Sequence, residues 1–65
     1  MSGSAQHEEA AASRLDERAV RHEKAAQDWL ARGDAGRAEL ERRCAEIERT
    51  AAELRRRRAG TLPKH

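Results

Sequence analysis

Sixty-five residues admit at most one small domain, and only 24 of them are apolar. Fourteen of those 24 are alanine and there is no Phe or Tyr, which excludes a bulky single-chain core. The net charge of +2 is unevenly spread: residues 1–33 hold five basic and six acidic groups, residues 34–65 hold nine and six, and the last eleven positions hold five bases and no acid.

In chain order, residues 1–5 are small and polar and are predicted to be a disordered N-terminus. From about Gln6 to Arg32, Ala12, Leu15, Ala19, His22, Ala26 and Trp29 advance by 3, 4, 3, 4, 3, the seam of a heptad repeat. Gly33 and Asp34 then form the turn. Glycine closes a helix C-terminus in the left-handed conformation, and aspartate caps the next helix and favours its positive dipole end. A second helix follows from Ala35 to about Ala59, with Leu40, Cys44, Ile47, Ala51 and Leu54 advancing by 4, 3, 4, 3. Gly60 suits the position just past its end and Pro63 blocks continuation, leaving residues 60–65 as a tail. Acid-first pairs at i,i+4, namely Glu17–Arg21, Asp28–Arg32, Glu39–Arg43 and Glu53–Arg57, support both helices, each by about 0.2–0.5 kcal/mol.

Folding the chain back at the turn pairs Ala12 with Leu54, Leu15 with Ala51, Ala19 with Ile47, His22 with Cys44, Ala26 with Leu40 and Trp29 with Arg37. The numbers in every pair sum to 66, and in five of the six a small residue meets a larger one. The fold class is therefore all-α, an antiparallel two-helix hairpin. So few large side chains cannot hold a lone hairpin firmly, so the sequence predicts assembly, most simply a homodimeric four-helix bundle.

The small residues at one seam position and large ones at the other resemble the Rop family of plasmid copy-number proteins. Those proteins are similarly short hairpins that dimerise into four-helix bundles and bind paired RNA. The resemblance covers the architecture and implies no functional residue here. Around the turn, Ala26, Trp29, Gly33-Asp34, Ala38 and Ala45 resemble scattered positions of a tetratricopeptide repeat, with Arg42 where a large apolar residue belongs. Such a repeat requires neighbours to be stable.

Four features bear on function. Arg55, Arg56, Arg57 and Arg58 could contact nucleic-acid phosphates, or could complement the helix dipole beside Glu8 and Glu9; no aromatic residue accompanies them for base stacking. His22 and Cys44 share an expected layer, so a two-fold dimer could assemble a His₂Cys₂ zinc set; without CxxC or HxxE spacing, a polar notch in the core is the favoured reading. Trp29 is expected to plug the turn end with the Arg37 guanidinium over its ring, or else to anchor a partner. Ala38, Ala45, Ala52 and Ala59 recur every seven residues beside the expected seam, a stripe that could admit another helix; Val20 and Leu30 flank helix one similarly.

No phosphate-binding loop or activated nucleophile is present, and two helices cannot enclose a substrate pocket. No catalytic, cofactor or metal residue is assigned, and no small-molecule substrate is expected. The lone cysteine and the lack of a secretory or membrane-spanning segment predict a reduced, cytoplasmic location without membrane association. The predicted function is a non-enzymatic protein–protein interaction module that binds itself and another protein: an adaptor, a regulator or a chaperone-like subunit. Helical-hairpin co-chaperones of bacterial secretion systems share this layout. The alternative is a Rop-like regulator binding nucleic acid through the C-terminal arginines.

Overall fold

Two alanine-rich stretches without proline flank a glycine–aspartate pair, and each becomes one helix. The computed structural model describes residues 3–61, in which α1 spans Gly3–Ala31 and α2 spans Ala35–Thr61. The helices pack antiparallel as a hairpin of about 51 × 13 × 9 Å. Helix α1 begins inside the segment expected to be disordered, and Gly60 continues α2 instead of ending it. Residues 1–2 and 62–65, including Pro63, lie outside the described residues.

The turn is chemically complete. Gly33 takes φ = 83°, a conformation that costs other L-residues roughly 1–2 kcal/mol. Its amide donates to the Leu30 carbonyl at 2.9 Å and the Asp34 amide to the Trp29 carbonyl at 2.9 Å, the double bond of a Schellman motif. Asp34 then starts α2: its Oδ1 accepts from the Arg37 amide at 3.0 Å, and its carbonyl accepts from the Ala38 amide at 3.1 Å. One residue thus closes the first helix and caps the second.

The seam is built of alanine. Ala12, Ala19 and Ala26 of α1 and Ala38, Ala45, Ala52 and Ala59 of α2 are the buried apolar residues. Between these alanines, at heptad spacing, lie the half-buried Leu15, His22 and Trp29 on α1 and Glu41, Glu48 and Arg55 on α2. Aligning the two stripes gives the layers Trp29/Ala38, Ala26/Glu41, His22/Ala45, Ala19/Glu48, Leu15/Ala52, Ala12/Arg55 and Glu8/Ala59. In each layer a small residue meets a large one, and the pair numbers sum to 67.

The helix-two half of the expected interface is corrected. Leu40, Ile47 and Leu54 are 63%, 68% and 53% exposed, Cys44 is exposed, and Ala51 is only half-buried. The register is shifted by one residue along α2, which turns that helix by about 100°. The stripe at Ala38 and its heptad successors, expected to lie beside the seam, is the seam itself. Ranking positions by size favoured the leucines. The folded chain instead packs alanine backbones closely and pairs the polar residues between them with charges on α1.

Candidate functional site: two unlike edges of the hairpin

An antiparallel helix pair has two long edges, and here they differ in chemistry. Along the first, acids on α1 meet bases on α2. Glu23 takes both terminal nitrogens of Arg49, one of them at 2.8 Å, and Asp16 pairs with Arg56. These contacts lower the carboxyl pKa of Glu23, chiefly through the Arg49 hydrogen bond, and raise those of Arg49 and Arg56 through their bonds to Glu23 and Asp16. Glu46 and Glu53 of α2 line the same edge, so acids outnumber bases along it.

Along the second edge runs an open groove. Leu15, Arg18 and His22 of α1 and Cys44, Ile47, Glu48 and Ala51 of α2 line it, and its surface is mostly apolar. Ile47 belongs as well to an exposed line on α2, Leu40, Ile47 and Leu54 at seven-residue spacing, which runs beside the groove. Its few charges are tied down. Arg18 Nε lies 3.2 Å from Glu48, while His22 stands between two carboxylates, with Nδ1 2.6 Å from Glu41 Oε1 and Nε2 3.4 Å from Glu48 Oε1.

The open end of the seam holds the most buried acid. Glu8 is 5% exposed, accepting from Arg55 Nη1 at 2.8 Å with Arg58 Nε at 3.1 Å. The Arg55 hydrogen bond holds its carboxyl below the ordinary range, against the opposing effect of burial and with further help from the Arg58 charge. At the other end, the Arg37 and Arg32 guanidiniums lie 4.6 and 5.2 Å from the centre of the Trp29 ring.

No protein-family model matches the chain, and no curated protein or solved structure is significantly similar to it.

The structure thus brings Ala12, Leu15, Ala19, His22, Ala26 and Trp29 to the seam and leaves Leu40, Cys44, Ile47 and Leu54 outside it. Arg55 and Arg58 are held by Glu8 and Arg56 by Asp16, while Arg57 makes no ion pair among the described residues. His22 and Cys44 line one groove, but the imidazole is engaged by Glu41 and Glu48. Among the described residues no group of three or more His, Cys, Asp or Glu could hold a metal ion, and no helix is long and apolar enough to cross a membrane. Of the four expected intrahelical pairs, Glu39–Arg43 forms at 3.4 Å; Arg32 turns to Trp29, and Glu17–Arg21 and Glu53–Arg57 do not form. The sequence places Glu8 beside the arginine run, as found, but gives no seam position to Glu8, Glu41, Glu48 or Arg55. Their signal was the match between alanines 12, 19 and 26 and alanines 38, 45, 52 and 59, which share one heptad phase.

Proposed function

We propose that this chain is a non-enzymatic protein–protein interaction module, an adaptor, regulator or chaperone-like subunit, working through the grooved edge. One observation carries the reading: three large apolar side chains, Leu40, Ile47 and Leu54, stand outside the intrachain seam in a heptad line beside an apolar groove. Helices dock on such a surface through residues at this spacing. Two further helices laid against it would complete a four-helix bundle: those of a second copy give the homodimer that the composition predicts, those of another protein a mixed bundle. A reducing cytoplasm belongs to the same proposal, since the exposed Cys44 thiol persists there without cross-linking.

The nucleic-acid reading has weaker support. Three arginines of the 55–58 run are spent on carboxylates of α1, so fewer cations are free to neutralise phosphates.

A photoactivatable group attached to Cys44, beside the groove, tests the proposal in the native cell. A covalent adduct with protein is expected, and Ile47→Glu should abolish it. Adducts indifferent to Ile47→Glu would remove the grooved edge from the function. Tight, salt-sensitive RNA or DNA binding lost in an Arg55–Arg58→Ala variant would instead support the Rop-like alternative.

A further inference from the structure

We infer that the occupant of the grooved edge is an amphipathic helix of a different protein, carrying acidic residues beside its apolar stripe. This rests on the interaction-module reading and specifies the partner.

The argument comes from the distribution of unpaired charge. Nine of the twelve arginines are engaged within the chain, in ion pairs or on the face of Trp29. Arg14, Arg21 and Arg57 are exposed and make neither contact among the described residues. Arg14 and Arg21 lie one turn before and one turn after Arg18, which lines the groove, so they form its α1 border. Arg57 follows Leu54 by three residues on the outer side of the α2 border. One border is therefore basic and the other apolar, around an apolar floor in which Glu48 lies beside Arg18 and His22, its Oε1 accepting no hydrogen bond. Two acids stand by the basic border, Glu17 between Arg14 and Arg21 and Asp28 one heptad beyond Arg21 towards the turn; neither forms an ion pair with these arginines among the described residues.

A second copy fits this face poorly. In a two-fold contact the patch meets itself. The basic border then faces either its own equivalent, setting arginine against arginine, or the apolar border, pressing unpaired guanidiniums onto leucine and isoleucine. An acidic amphipathic helix avoids both. Its apolar stripe lies along the groove and the Leu40–Ile47–Leu54 line, a span of about 21 Å or four helical turns. Its carboxylates reach Arg14 and Arg21 along the α1 side, with the bidentate geometry that guanidinium offers.

The test uses the full chain and two labelled three-heptad helical peptides. Both carry leucine and isoleucine at the seam positions; one has glutamate and the other lysine at the flanking positions. Fluorescence anisotropy is expected to show the glutamate peptide binding at least about tenfold more tightly, with a preference that shrinks as salt rises. Ile47→Glu should remove binding of both peptides without loss of helical circular dichroism, because the residue is exposed. Arg14→Glu combined with Arg21→Glu should reverse the preference. Equal binding of the two peptides, both sensitive to Ile47→Glu, would overturn the acidic partner and keep the docking face. Binding of neither peptide by a folded monomer would overturn both. A chain whose sedimenting mass doubles and falls back in Ile47→Glu would show that a second copy covers the groove, overturning the acidic partner alone.

Discussion

His22 lies 2.6 Å from Glu41 across the middle of the hairpin, while its other ring nitrogen faces Glu48 Oε1 at 3.4 Å. That oxygen is buried and accepts no hydrogen bond, while Glu48 Oε2 lies 3.2 Å from Arg18 Nε. A single aromatic ring therefore stands between two carboxylates of α2. Replacing His22 with leucine leaves both without that partner and should cost about 1–2 kcal/mol. Urea denaturation of His22→Leu measures this. Adding Glu41→Leu and Glu48→Leu to that variant should recover most of the loss, because apolar groups replace the whole cluster.

The location of the seam is tested by two opposed substitutions. Ala45→Leu inserts bulk at a buried position of the seam and should destabilise the hairpin by roughly 1–3 kcal/mol. Leu40→Ala removes an exposed side chain and should change the stability of the isolated chain by less than about 0.5 kcal/mol. Thermal melts at a concentration where sedimentation shows a monomer would compare the two. The opposite ranking would restore the register in which Leu40 faces Ala26.

Acid should loosen the open end of the hairpin. The carboxyl of Glu8 has a lower pKa folded than unfolded, so the stability its pairing supplies is complete above the ordinary value near pH 4.5. It is lost as the pH falls below that value and through the depressed folded pKa. Glu8→Gln should flatten the acid limb of the stability profile and leave Arg55 and Arg58 without their anion. Hydrogen exchange of amides near Glu8 and Ala59, followed from pH 6 to pH 3, reads this directly.

The turn makes two predictions of opposite sign. Asp34→Ala removes the acceptor for the Arg37 amide and should cost about 1 kcal/mol. Gly36→Ala should stabilise α2 by roughly 0.5–1 kcal/mol, since the added methyl would meet only Asp34 Oδ1, at an ordinary 3.7 Å. Melting temperatures should move in opposite directions, by about 4–8 °C per kcal/mol for a domain of this size.

What the sequence determined alone was local. Gly33 and Asp34 marked the turn because a left-handed glycine and a capping aspartate each act within a few residues. Both helices followed from alanine, the absence of internal proline and the heptad spacing. Small against large was legible too, because each helix carries that alternation along its own length. Which stripe of α2 faces α1 was not legible. Two stripes one residue apart offered the same spacing, and the apolar content favoured Leu40, Ile47 and Leu54. The choice belongs to tertiary structure, because it depends on contacts between residues distant in the chain: Glu8 with Arg55, Asp16 with Arg56, His22 with Glu41. Those pairs form only when the alanines come together, and their formation leaves the larger apolar side chains outside, where another helix can reach them.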